Sequence, residues 1–499
     1  MDLAPRAQIA KLDSRVLKPI LRAYTLGYLT ATGPRIISFF RILRRKDLSN
    51  DSKLRYLAHI LVGALRWNRF PTFCALVTGG STLLPYLSDK AIASLFNRQK
   101  PTNKVVLTVK LSRVLRFAAI FVSAWTCFPL LNTKQVPKSQ PHPTKHGNSV
   151  TKNEECNTQL DHQDGSKPFS DTPDVPHLAG RTLDLTLFAM VRAMDVLASL
   201  SWSRWRRYRK SRKAFTRIEA SLPHLFDTGV FAGTAAIVMW AWFYLPERLP
   251  FSYGKWISDA AQIDPRIIEA LRSARRGEWT YGQPKGSRLV LEPMCRDYGL
   301  PVVWGDTSQT IPIPCELVHM GCGPNCELHA IWRFAKSFKF VLTTDLPIQL
   351  VLRSRSPSIQ GYLGAVKASL RSSAFIGLFV TLFYYSVCLS RTRLGPKLFS
   401  DKTVTPMMWD SGLCVAAGCT MCGWSIFVES ARKRQEICLF VAPRAIATFF
   451  PRRYDRKHLW REQMAFSLST AIVLTCIQSD PTRVRGVLGR VLRGVFLKG

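Results

Sequence analysis

Acidic side chains are scarce in this chain: 33 Asp and Glu stand against 70 Lys and Arg, a net charge of +37. Such an excess would suit a nucleic-acid partner. Its placement argues otherwise, because the basic residues gather beside apolar runs, at 41–46 (RILRRK), 204–217 (RWRRYRKSRKAFTR) and 452–461 (RRYDRKHLWR). Basic segments so placed set membrane topology and attract anionic headgroups, so no nucleic acid is expected. Catalytic signatures are missing too. None of the nine histidines is followed five positions later by Asp, and no G-x-S-x-G elbow occurs. Both absences weigh against a lipid-modifying enzyme. Residues 1–47 lack an uninterrupted apolar core with a small-residue cleavage site, so no secretory leader is expected. They are basic and partly amphipathic, which suits mitochondrial targeting or a helix lying on a bilayer surface. Thirteen cysteines show no secreted-framework spacing, and nothing requires an oxidising compartment.

What is present is gathered into blocks. The 47% apolar content is ordinary for a globular protein, but six stretches of 17 to 19 residues carry no Asp, Glu, Lys or Arg: 70–88, 117–133, 228–246, 372–390, 411–428 and 463–479. At about 1.5 Å of rise per residue each nearly crosses a hydrocarbon core of about 30 Å. The expected fold class is an all-α integral membrane protein.

Three blocks recur in the same order. Leu65-Arg66 with Phe70 returns as Leu370-Arg371 with Phe375. Asp184, Leu187, Phe188, Arg192 and Ala193 return as Glu436, Leu439, Phe440, Arg444 and Ala445. Phe231, Ala236-Ile237-Val238, Pro246, Arg248 and Gly254 return as Phe466, Ala471-Ile472-Val473, Pro481, Arg483 and Gly489. Collinear recurrence indicates duplication, which sets the architecture before any single residue is interpreted. The expected layout is a basic amphipathic N-terminal region (1–53), a first repeat (54–257), a middle module (258–357) and a second repeat (358–499). An insertion at 134–179, rich in Pro, Asn, Asp, Gln, Ser and Lys, is expected to be disordered. Gly27, Gly33 and Pro34 should break any long helix near the start.

Each repeat holds about four helices, with a strongly basic loop before the last. If basic loops share one side, the two repeats lie in parallel orientation. Asp184 and Arg192 are eight residues apart, as are Glu436 and Arg444. That is about 12 Å along a helix, too far to pair within it. They could pair across the repeats, Asp184 with Arg444 and Glu436 with Arg192, or reach water near the interface.

Residues 315–329 read CELVHMGCGPNCELH. Cys315, His319, Cys326 and His329 could close a tetrahedral zinc site, a structural one, since no Glu is placed as a base. A reduced thiol cluster with hydrogen-bonded histidines, or disulfides, are the alternatives. Asn325 could cap the helix that follows, leaving Cys326 and His329 one turn apart. Beyond it, Ile331, Phe334, Phe338 and Val341 form one apolar face, with Arg333, Lys336 and Lys339 elsewhere; this suits an interfacial helix, or one packed on the bundle. Cys419 and Cys422 form a C-x-x-C inside an apolar run. With Cys414 and Gly418 they read as a small-residue packing ridge.

With these residues laid out, the chain resembles the transmembrane protein 135 family in its fungal form. The resemblance is carried by Tyr24-Thr25-Leu26-Gly27-Tyr28-Leu29, by Arg69-Phe70-Pro71 with Gly79-Gly80, and by Pro314-Cys315-Glu316 through His319 and Cys326 to His329 and Trp332-Arg333-Phe334. The family is distantly similar to mitochondrial inner-membrane translocase channel subunits. The resemblance implies a multi-pass protein of a mitochondrial or peroxisomal membrane, linked to lipid handling and organelle dynamics. It brings no catalytic residue, and Cys322 stands as an extra thiol. The expected role is non-enzymatic: lipid or metabolite movement, or membrane organisation. The alternatives are a translocase-like or scaffolding component that binds protein partners or itself, and a lipid-modifying enzyme.

Overall fold

A computed structural model describes residues 4–43, 50–96, 104–132, 178–283, 288–354, 358–400 and 402–497. All but the last two residues of the 134–179 insertion lie outside the described residues. The described chain is overwhelmingly helical. Its only ladder pairs two-residue strands β1 (Leu178–Ala179) and β2 (Tyr454–Asp455) antiparallel.

The first part holds α1 (Ala4–Leu43), α2 (Asn50–Leu65), α3 (Phe70–Phe96), α4 (Lys104–Cys127), α5 (Leu183–Ser211) and α6 (Arg217–Tyr244). The middle holds α7 (Phe251–Ala261), α8 (Pro265–Arg276), α9 (Arg288–Asp297) and α10 (Cys326–Arg353). The last part holds α11 (Ile359–Cys388), α12 (Cys414–Cys422), α13 (Ala431–Ala447), α14 (Leu459–Ser479) and α15 (Gly486–Phe496). Local chemistry fixes several starts. Thr216 and Glu219 form a reciprocal capping box on α6, and Asp264 caps α8 with Pro265 at its first position.

Four segments are long and apolar enough to cross a membrane: Leu111–Asn132, Leu225–Tyr244, Ile359–Arg393 and Pro406–Val428. Only 28% to 50% of their apolar windows is buried inside the molecule, so much apolar surface faces outward, as a bilayer requires. The sequence pointed to six. The runs at 70–88 and 463–479 do form helices, but Thr78, Gly79, Gly80, Ser81 and Thr82 in one, and Ser467, Ser469, Thr470 and Thr475 in the other, lower their hydropathy.

Two large cores form, each from distant parts of the chain. α14 packs on α4 and α5, joining Phe466 and Ile477 to Phe73, Ile120, Phe128 and Val196. α6 packs on α12 and α13, joining Phe231 and Phe243 to Phe375, Phe383, Cys414 and Cys422. Thus the last apolar helix of each half sits in the core of the other. α12 approaches its neighbours closely, since a Cβ on Gly418 would meet the Phe383 ring at 2.9 Å and one on Gly423 would lie 2.5 Å from the Cα of Ala232. Cys414, Cys419 and Cys422 are buried free thiols on that helix.

The orientation departs from expectation. Arg452, just before α14, donates to the carbonyl of Arg248, just past the end of α6, at 3.1 Å. Arg485, just past the end of α14, reaches Asp227 near the start of α6 at 3.4 Å. α6 and α14 therefore run antiparallel. The basic loops that precede them lie at opposite ends of the molecule, and the parallel arrangement is corrected. Equal basic loops carry no information on relative direction once they need not share a side.

Two further expectations are corrected. α1 is continuous through Gly27, Gly33 and Pro34, because packing along α3 outweighs weak propensity. A Cβ on Gly27 would lie 2.8 Å from the Cα of Pro71, so this glycine permits the contact. In α10 the face that turns inward carries Cys326, His329, Arg333, Ser337 and Val341, while Ile331 and Trp332 are exposed. The helix lies along α11, with Phe334 against Gly377.

Candidate functional site

The middle module has its own core, in which Ile267, Ala274, Trp279, Leu291, Met294, Cys295 and Leu317 pack together. That core presents a short helix, Cys315–Val318, whose end carries His319. A turn through Gly321 and Gly323, both at positive φ, brings the chain back to Asn325. The Asn325 side chain accepts from the N–H groups of Glu327 and Leu328 at 2.9 and 3.0 Å and starts α10 at Cys326. The ligand atoms of Cys315, His319 and Cys326 lie within 4.8 Å of one another, close enough to hold a metal ion. Thiolate and imidazole in that number suit zinc.

The fourth expected ligand sits elsewhere. The His329 ring stacks face to face on His319, with centroids 4.3 Å apart and planes at 15°, and its Nε2 accepts from Arg333 Nε at 3.4 Å. A stacked ring cannot aim its lone pair at an ion shared with the ring beneath it. Burial, then the charges of His319, Arg333 and Lys336, push the His329 imidazole down to about 3, so it stays neutral. Burial also pushes the Cys315 thiol up and the His319 imidazole down. Cys322 is exposed, Cys295 belongs to the module core, and every described cysteine is a free thiol.

Arg333 is buried behind this cluster. Its Nη1 donates to the carbonyl of Gln262 at 2.9 Å, and its guanidinium stands 4.6 Å from the Tyr384 ring centre. The Tyr384 ring meets His329 edge-on at 5.4 Å. Tyr384 is also one wall of an apolar cavity of about 250 Å³, so the cluster and the cavity share a side chain. α6, α7, α11 and α13 line that cavity through Phe231, Trp242, Trp256, Phe375, Phe379 and Phe440 among others. A space lined in this way favours an apolar guest.

A second cavity, of about 510 Å³, is basic. Arg35 from α1, Arg69 from the turn before α3 and Arg181 from the approach to α5 converge on it with Asn68 and Thr182. Burial and then Arg35, Arg181 and Arg66 hold the Arg69 guanidinium below its ordinary value, the mark of cations crowded together.

The recurring charged residues meet across α5 and α13, though their ion pairs go to other arginines. Asp184 binds Arg452 at 2.9 Å, with Arg444 near enough to feel its charge. Glu436 binds Arg490 at 2.9 Å, with Arg192 likewise nearby. The Arg444 guanidinium instead stacks over the Phe440 ring, 3.7 Å from its centre, and Arg192 lies over Phe188 at 5.0 Å. One ion pair escaped the sequence entirely. Arg391 and Asp410 are almost fully buried, the Nη2–Oδ2 distance is 2.9 Å, and the Tyr281 hydroxyl donates to the same carboxylate. Their flanking charge-free runs were the available signal, since an Arg and an Asp at the ends of two apolar helices must find partners. Comparison with protein-family models, curated proteins and solved structures finds no match to this chain.

Proposed function

We propose that the chain is a multi-pass protein of an organellar membrane, mitochondrial or peroxisomal, with a non-enzymatic role in lipid handling. Two copies of one helical unit stand in inverted orientation, each lending its last helix to the other, and the apolar cavity lies where the copies meet. Binding sites between such repeats are a recurrent feature of membrane transporters. The observation that carries this reading is the cavity among the apolar helices, whose almost wholly apolar lining suits an acyl chain. The three-arginine cavity supports contact with anionic headgroups. The Cys315, His319 and Cys326 group holds a structural zinc that stiffens the wall shared through Tyr384. This role agrees with what the resemblance to the transmembrane protein 135 family implies.

The test is lipid retention. Protein purified in mild detergent should release a stoichiometric lipid on extraction. Ala235→Phe, which fills the cavity from α6, should lose it with helical content unchanged by circular dichroism. Lipid-free wild type, or full retention in Ala235→Phe, would turn the reading towards a scaffold that binds protein partners. Transfer of labelled lipid between reconstituted vesicles then separates movement from storage.

A further inference from the structure

The thiol and imidazole group has a neighbour from a different part of the fold. Cys388 is the last residue of α11, a helix long and apolar enough to span, and its side chain is buried. Its Sγ lies 3.4 Å from His319 Nε2. The opposite ring nitrogen, Nδ1, stands 2.8 Å from the carbonyl of Gly323. A carbonyl only accepts, so Nδ1 carries the proton and Nε2 presents its lone pair towards Cys388. A backbone carbonyl that fixes the tautomer in this way is the usual outer partner of a metal-binding histidine. Cys315, His319 and Cys326 already form one group with ligand atoms within 4.8 Å of one another, and Cys388 stands at its edge beside His319 Nε2. Around a tetrahedral zinc, with bonds of about 2.3 Å to sulfur and about 2.0–2.1 Å to nitrogen, neighbouring ligand atoms stand about 3.5–3.8 Å apart. The His319–Cys388 distance of 3.4 Å falls just short of that spacing, so a small separation of the two groups would admit the ion.

We propose that Cys388 is the fourth ligand of a closed Cys3His zinc site, made with Cys315, His319 and Cys326, which fastens the middle module to the end of α11. This rests on the reading of the group as a zinc site. Loading replaces three thiol protons, which leave to solvent, while neutral His319 gives its Nε2 lone pair; nothing is oxidised or reduced. Four protein ligands leave no open position, so the ion is structural. Zinc with three thiolates carries a single negative charge, and the Arg391 guanidinium, itself paired with Asp410, lies close enough for its charge to act on Cys315. His329 is the stacked support of His319, outside the ligand set.

The experiment uses the full chain in detergent. X-ray absorption at the zinc edge of wild type should give three sulfurs and one nitrogen, with one zinc per chain by mass spectrometry. Cys388→Ser should weaken zinc retention against a chelator at least about tenfold, and His329→Gln should keep its zinc. A shell of two sulfurs and two nitrogens, or wild-type retention in Cys388→Ser, overturns the assignment of Cys388 and leaves the zinc reading standing. Well-folded wild type without zinc overturns both. The absorption measurement on wild type decides the matter even where Cys388→Ser fails to fold.

Discussion

Glu462 in α14 and Asp227 in α6 stand at matching places in the two last helices, 235 residues apart like the third recurring block. Their surroundings differ. Glu462 is buried and met by neutral hydroxyls, from Thr182 at 2.5 Å, from Thr186 at 3.1 Å and from Tyr454. Asp227 faces a cation, Arg485, which also binds Asp195. Two acids at the same spacing in the recurring pattern thus sit in different electrostatic surroundings. A third arrangement is the buried ion pair between Arg391 and Asp410, with Tyr281 from the middle module on the same carboxylate. Neutral donors hold an acid without needing a charge of their own out of water, whereas a buried pair is costly to break from either side.

The contrast can be tested by removing one acid at a time and following thermal unfolding in detergent. Asp410→Ala leaves the Arg391 guanidinium buried and unmatched, and should cost about 3–5 kcal/mol. The double variant Asp410→Leu with Arg391→Met should recover most of that loss, and a double variant no better than the single would show that the charge was not the cause. Glu462→Ala strands hydroxyl donors instead, with an expected cost of about 1–3 kcal/mol. A loss larger than that of Asp410→Ala would reverse the ranking and make the hydroxyl cluster the firmer anchor. At the small end, Arg490→Ala removes a half-exposed partner of Glu436 and should change stability by less than about 1 kcal/mol. A large drop there would mean that the pair is shielded from water in the membrane-embedded protein.

Much of the helical framework was legible in the residues. Charge-free runs marked the apolar helices and Asn325 marked the start of α10, whereas the cross-repeat pairs Asp184 with Arg444 and Glu436 with Arg192 gave way to ion pairs with Arg452 and Arg490. Relative direction was not legible, since each last helix follows a basic loop and two like loops look the same whether they share an end or not. Arg333 misled for a different reason. Helical spacing offered an apolar inward face through Ile331, but the carbonyls of Ala261 and Gln262 and the Tyr384 ring give a guanidinium more than water does. Cys388 was hidden because it sits inside the 372–390 run, where a thiol counts as a small apolar residue. Only the fold brings it to His319.

The exchange of last helices bears on the order in which the chain can fold. Phe73, Ile120, Phe128 and Val196 lie early in the sequence, yet their core closes only around Phe466 and Ile477. During synthesis the N-terminal half must wait, with an open apolar groove, until nearly the whole polypeptide has been made. A premature stop before α14 would delete a short tail by length, and the damage would appear some 300 residues upstream, in a half whose own sequence is intact.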